Sequence, residues 1–241
     1  MKKHIPNFIT LLNLFFGLLA IISALQGMLL LSALYIGVAA LMDFFDGLAA
    51  RMLNVSSDIG KELDSLADLV SFGVAPGLIT FQLITGTGII LEIASVNILP
   101  FTGLIIPVFS ALRLAKFNID ATQSSSFKGL PVPANALFFA SLPLLETPVI
   151  FEKTMLHQVL SAVIENGWLM IVIALLFSFL LVSPFRLFSL KFNNISWETH
   201  KIQLIFIVLS LILLIVFNFA ALPVIIVAYI LLSVLFYRED N

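Results

Sequence analysis

A chain of 241 residues is long enough for one domain of ordinary size. Soluble domains carry about 25% charged residues; with 11% charged, 61% apolar and a mean hydropathy of +1.14, this chain is too apolar to be solvated all round. No basic run points to nucleic acid, and the absence of cysteine excludes disulfides, thiolate zinc sites and thiol nucleophiles.

Stretches of roughly 18 or more nearly charge-free residues recur, each long enough to cross a bilayer as a helix. They do not alternate as the strands of a membrane barrel would. The expected fold class is an all-α polytopic membrane bundle of about eight transmembrane helices. In chain order the spans fall near 6–26, 29–52, 61–84, 97–117, 131–150, 167–187, 202–218 and 221–237. Met1-Lys2-Lys3 before an apolar run has the outline of a leader, but Asn7, Thr10 and Asn13 interrupt it, so a retained first helix is expected. Gly27, Gly86-Thr87-Gly88, Pro148 and Pro223 punctuate the boundaries. Met155 to Glu165 has the pattern of a short amphipathic segment outside the membrane. Residues 1–241 are expected to form one domain, with a catalytic core over about 1–190 and an accessory helix pair in 200–241.

Placing the N-terminus in the cytoplasm and alternating sides puts Lys2, Lys3, Arg51, Lys61, Arg113, Lys116, Lys128, Arg186, Lys191, Lys201 and Arg238 together. Lys153 alone, of the 12 basic residues, faces the other way. This positive-inside bias predicts both termini in the cytoplasm. His4, His157 and His200 are isolated and read as interface residues, and Trp168 and Trp197 flank spans as interface anchors.

Carboxylates at membrane depth are costly and usually functional, and here they come in pairs. Span two ends Asp43-Phe44-Phe45-Asp46-Gly47-Leu48-Ala49-Ala50-Arg51, and span three opens Gly60-Lys61-Glu62-Leu63-Asp64-Ser65-Leu66-Ala67-Asp68. Asp43 and Asp46 are three apart and Asp64 and Asp68 four apart, so each pair shares a helix face. A short turn, Met52 to Ile59, makes the helices antiparallel neighbours with the pairs facing each other. Four like charges repel unless cations neutralise them, and Lys61 sits off the aspartate face. Hard carboxylate oxygens suit Mg²⁺, Mn²⁺ or Ca²⁺, and two such ions form a recurrent clamp for displacement at phosphorus; Mg²⁺ or Mn²⁺ is expected here. The small residues Gly47, Ala50 and Gly60 leave room for a ligand to approach closely.

The pattern Asp-x2-Asp-Gly-x2-Ala-Arg-x8-Gly-x3-Asp-x3-Asp resembles the signature of the CDP-alcohol phosphatidyltransferase family, with every defining position filled. The resemblance implies attack of an alcohol on the β-phosphorus of a CDP-linked lipid, with release of CMP. It implies that Asp43, Asp46 and Asp64 are metal ligands, that Asp68 is a ligand, the general base, or both, and that Gly47, Ala50, Arg51 and Gly60 line the CDP site. It also implies a homodimer.

Three further segments look like the phosphatidylserine synthase branch of that family. They are Pro6-Asn7-Phe8-Ile9-Thr10-Leu11-Leu12-Asn13, Ser71-Phe72-Gly73-Val74-Ala75-Pro76, and Arg113-Leu114-Ala115-Lys116-Phe117-Asn118 with Phe127-Lys128-Gly129-Leu130-Pro131-Val132-Pro133. Lys116, where arginine is more usual, and Gly77, where alanine is common, are mild departures. The substrates expected are CDP-diacylglycerol and serine, at a site facing the cytoplasm from the cell membrane. Asn7, Thr10 and Asn13 are expected at the CDP-lipid, and Arg113, Lys116 and Lys128 at serine, whose carboxylate favours a bidentate arginine. Lys128 is open to a second role on a lipid or CDP phosphate. A sister transferase using glycerol 3-phosphate or inositol phosphate would call for an additional basic cluster. An ion transporter would show internal repeats or broken helices near the midplane, and the sequence has no internal repeat.

Overall fold

Small residues decide how the first two helices meet. In α1 (His4–Leu25), Gly17, Ala20 and Ala24 are buried, and in α2 (Leu29–Leu53) so are Ser32, Ala33, Ile36 and Ala39. Lipid offers no hydrophobic drive for helices to associate, so close backbone approach and interhelical hydrogen bonds take its place. Ser32 accordingly donates to the Ala20 carbonyl at 2.8 Å. Larger residues of the same helices, among them Phe8, Phe15, Ile22, Leu34 and Leu41, point outward as a lipid-facing surface. The computed structural model describes residues 4–55, 57–119, 127–146, 155–188 and 197–236. Lys2, Lys3, Lys153, Lys191 and Arg238, used above for orientation, lie outside the described residues, as do the side chains of Arg186, Trp197, His200 and Lys201.

Asn54 closes α2 in the left-handed conformation, its N–H bonded to the last carbonyls. Ser57 then caps α3 (Asp58–Asp68) by accepting from the Gly60 N–H at 3.0 Å. The same helix continues through a π-helical turn, Leu69–Val74, into α4 (Ala75–Gly86). A hairpin of β1 (Glu92–Ile93) and β2 (Val96–Asn97) follows, then a 3₁₀ turn (Leu99–Leu104) leading into α5 (Ile105–Ile119). Gly77 and Gly103 let α4 and this turn touch backbone to backbone: a Cβ at Gly103 would lie 2.7 Å from the Phe81 nitrogen and 2.8 Å from the Gly77 oxygen.

After β3 (Phe127–Lys128), α6 (Val132–Ser141) runs inward and extends through a 3₁₀ turn to Glu146. Phe138 stacks on Phe177 at 4.0 Å and Phe139 meets the same ring edge-on at 5.6 Å. Phe177 belongs to α8 (Gly167–Val182), which bends 90° from α7 (Met155–Glu165) at Asn166. α7 buries only Ile164, as an amphipathic segment at the edge of a bundle should. β4 (Arg186–Leu187) returns to pair with β3.

Among the described residues, five helical segments are apolar enough by length and composition to cross a membrane, or six with the bent α7–α8 pair, and Val132–Leu145 is a shorter apolar helix. One of the five, Ile202–Leu235, covers 34 residues. At about 1.5 Å per residue it would overrun a ~30 Å hydrocarbon core if straight. It is not straight. Phe206 of α9 (Trp197–Phe217) and Tyr229 of α10 (Ala221–Phe236) have ring centroids 5.7 Å apart, so the chain folds back at the 3₁₀ turn Asn218–Ala220. The architecture is a polytopic helical membrane bundle whose membrane-length segments follow the expected order.

Candidate active site

Asp43 and Asp46 leave one face of α2, Asp64 and Asp68 one face of α3, and the antiparallel turn brings the faces together. Carboxylate oxygens of Asp43, Asp64 and Asp68 all lie within 4.8 Å of one another. Asp46 stands outside this tight trio, buried, with its Oδ2 accepting from Thr10 Oγ1 at 2.7 Å. Asn13, one turn along α1, donates from Nδ2 to Asp68 Oδ1 at 3.3 Å. The i, i+3 spacing of Thr10 and Asn13 thus matches α1 to one aspartate of each pair.

A divalent cation fits this donor set. Three carboxylates at that separation offer hard oxygen ligands to one ion, and three like charges partly or fully withdrawn from water need a counter-charge.

Beside the carboxylates opens a cavity of about 280 Å³ lined by Pro6, Asn7, Thr10, Asp46, Gly47, Ala50, Val55, Ser57, Gly60, Lys61 and Asp64. Its walls are the start of α1, the end of α2 and the start of α3. A Cβ at Gly47 would meet nothing within 4 Å, so the missing side chain there is open space. At Gly60 it would press on Asn7 Oδ1 and Ser57 Oγ, each at 3.0 Å. Of the residues expected at a CDP-lipid, Asn7, Thr10, Gly47, Ala50 and Gly60 line this cavity. Arg51 and Asn13 do not. Arg51, about 100° further round α2 than Ala50, is exposed, and Asn13 is buried against Asp68. Lys61 was expected off the aspartate face, yet it lines the cavity, and its Nζ donates to the Asn118 carbonyl at 3.1 Å. Lys61 stands three residues before Asp64 and seven before Asp68, so helical spacing sets it on the same side of α3 as both.

Arg113, Lys116 and Lys128 come together in a second cavity of about 350 Å³, with Phe117, Ile119 and the end of α8 from Leu181 to Pro184. Arg113 is only 7% exposed, lies over the Phe117 ring at 5.4 Å, and is close enough to Asp68 for the two charges to attract. Lys128 reaches the same wall through the β3–β4 pairing, in which Lys128 stands opposite Arg186. The Gly129 N–H bonds Phe185 O and the Leu130 N–H bonds Leu180 O, both at 2.9 Å. Gly129 has φ of +76°, and a Cβ there would collide with the Leu181 carbonyl, so this turn requires glycine. Ser57 and the Leu181–Pro184 wall were not singled out in the sequence; the only signal for the latter was Ser183-Pro184 ending an apolar span beside Arg186.

The described residues thus bring together a carboxylate trio beside one cavity and a second cavity lined by cationic side chains. The chain belongs to the CDP-alcohol phosphatidyltransferase family, whose sequence model matches residues 3–164. It is 38% identical over 152 residues to the CDP-diacylglycerol–serine O-phosphatidyltransferase of Bacillus subtilis (strain 168), spanning 61% of this chain and 80% of that one. The enzyme of the same name from Helicobacter pylori (strain J99) is 31% identical over 209 residues, spanning 86% of this chain and 80% of its own. An archaetidylserine synthase of Methanothermobacter thermautotrophicus is 33% identical over 140 residues, 57% of this chain and 56% of that one.

Proposed function

We propose that this protein is an integral-membrane transferase that moves a phosphatidyl group from CDP-diacylglycerol to the hydroxyl of L-serine, giving phosphatidylserine and CMP. The observation that carries the serine reading is the second cavity, where Arg113, Lys116 and Lys128 converge and Arg113 lies within electrostatic reach of Asp68. The names of the Bacillus and Helicobacter relatives support the same acceptor. In this reading Asn7, Thr10, Gly47, Ala50 and Gly60 receive the CDP moiety in the first cavity, while the acyl chains stay in the bilayer.

Asp43, Asp64 and Asp68 would hold one divalent ion, Mg²⁺ or Mn²⁺, and Asp46 with Asp64 would serve a second. Bound metal supplies charge neutralisation on the phosphoryl oxygens. The chain's own residues do the rest. Arg113 holds the serine carboxylate by its planar fork, with Lys116 and Lys128 around it. Asp68 takes the hydroxyl proton as the serine oxygen bonds to the β-phosphorus, and the bond from that phosphorus to the CMP oxygen breaks. Holding the hydroxyl and phosphorus in contact converts an encounter between bilayer and solvent into a local step.

Both cavities are lined from one end of the bundle, the starts of α1 and α3 and the ends of α2, α5 and α8. The bias of basic residues supports a cytoplasmic position at a cell membrane for that end and for both termini. We take residues 1–241 as one domain acting as a homodimer, with 1–190 the catalytic core and α9–α10 an accessory pair. The deciding experiment is CMP release from CDP-diacylglycerol by pure protein, with serine, glycerol 3-phosphate and inositol phosphate compared as acceptors. Serine-dependent release is expected; release driven only by a phosphorylated acceptor would replace this reading with a sister transferase.

A further inference from the structure

Asn13 is fully buried, yet the hydrogen-bonding capacity of its amide is only half used. Nδ2 donates to Asp68 Oδ1 at 3.3 Å, while Oδ1 has no partner. Buried amides are normally satisfied at both ends, so fold stability is a poor reason for an asparagine here. Nor does Asn13 share the cavity that its neighbours Asn7 and Thr10 line.

Its surroundings single out Asp68 instead. The Asn13 carbonyl accepts from Ser71 Oγ at 3.0 Å, and Ser71 lies in the π-helical turn that starts immediately after Asp68. A π turn inside an α-helix is uncommon and occurs mostly at functional sites. Gly17, one turn beyond Asn13 on α1, brings its backbone so near Ser71 that a Cβ there would collide with the serine. Asn13 therefore grips both the Asp68 side chain and the turn that carries it onward. The terminal torsion of an aspartate is broad and roughly two-fold. A donor fixed on Oδ1 selects one orientation and leaves the other oxygen for the reacting centre.

We propose that Asn13 is a positioning residue for Asp68, orienting the carboxylate that takes the acceptor's proton, and that it makes no contact with the nucleotide. This rests on the reading of Asp68 as the general base. The test uses the full-length protein in detergent, with Asn13→Ala, the near-isosteric Asn13→Leu, Asp68→Asn, and Asn13→Ala combined with Asp68→Asn. Asp68→Asn is expected to lower kcat by about 10²–10⁴-fold. Both Asn13 variants are expected to lower kcat by about 10–100-fold, leaving the KM for serine and for CDP-diacylglycerol, and calorimetric binding of CDP, within about twofold. Added to Asp68→Asn, Asn13→Ala is expected to cost less than about threefold more, because residues acting as a unit are not additive.

Full additivity would overturn the positioning role while leaving Asp68 as base. Weakened CDP binding with parental kcat would overturn it too, and would place Asn13 in the nucleotide site. Parental kcat in Asp68→Asn alone would remove the base reading, a failure visible without any Asn13 variant. If Asn13→Ala lost its thermal transition, Asn13→Leu would decide; loss of fold in both would make Asn13 a structural residue and overturn the proposal.

Discussion

Replacing Arg113 with alanine separates recognition of serine from recognition of the lipid nucleotide. The guanidinium is 7% exposed, so salt in the assay screens it little and a bound carboxylate there would be largely desolvated. Hydrogen bonds to charged groups contribute about 1.5–3 kcal/mol, and about 1.4 kcal/mol corresponds to tenfold in an equilibrium constant. Loss of the fork should therefore raise the serine KM by about 10–150-fold, the range that about 1.5–3 kcal/mol spans. Arg113→Lys keeps the charge but not the planar geometry, and should fall between alanine and the parent. CMP release is followed across serine concentration at saturating CDP-diacylglycerol, then across CDP-diacylglycerol at the highest workable serine. Thermal midpoints in detergent check that losing the contact with Phe117 has not unfolded the protein. A raised KM for CDP-diacylglycerol with unchanged serine saturation would refute the reasoning, and Arg113 would then belong to a phosphate site.

Chelation by EDTA should abolish CMP release and Mn²⁺ or Mg²⁺ should restore it, with Asp43→Asn, Asp46→Asn and Asp64→Asn each weakening Mn²⁺ binding and turnover but keeping the helical circular dichroism. Activity surviving exhaustive chelation would dismiss the metal. Gly103→Ala should lower the thermal midpoint, because its Cβ would sit 2.7 Å and 2.8 Å from backbone atoms of α4 that cannot swing away. Overpacking of this kind costs about 1–3 kcal/mol, and a higher midpoint would show that the two backbones are not in contact. For topology, single cysteines at the exposed positions Ile59 and Glu92 should label from opposite sides of a sealed membrane, Ile59 from the cytoplasm; the reverse result would remove the orientation and access to cytosolic serine.

Much of the carboxylate arrangement was legible because helical spacing is local. Asp43 with Asp46, and Asp64 with Asp68, share faces by their three- and four-residue intervals, and a short turn leaves the two helices little choice but to lie antiparallel. Arg51 shows the limit of motif reading. It stands beside Ala50 in the motif, but a single residue step turns it out of the cavity. Asn13 shows another limit, since its partner Asp68 is 55 positions away. The hairpin of β1 and β2 and the β3–β4 pairing went unforeseen, because two-residue strands are too short to leave a period.

By itself the sequence determined the helical membrane class, the order of the spans, the facing carboxylates and the family, since each depends on composition or on spacing within about one or two turns. Only the tertiary structure decided the rest. It closed the first cavity with the start of α1, and joined Arg113, Lys116 and Lys128 to the end of α8 across far-separated segments. Apolar spans in lipid are nearly interchangeable in hydropathy. Their lateral order rests on shape and a few hydrogen bonds, Gly17 against Ser71, Gly77 against Gly103, Thr10 on Asp46, Asn13 on Asp68, and such pairings exist only once the helices have met.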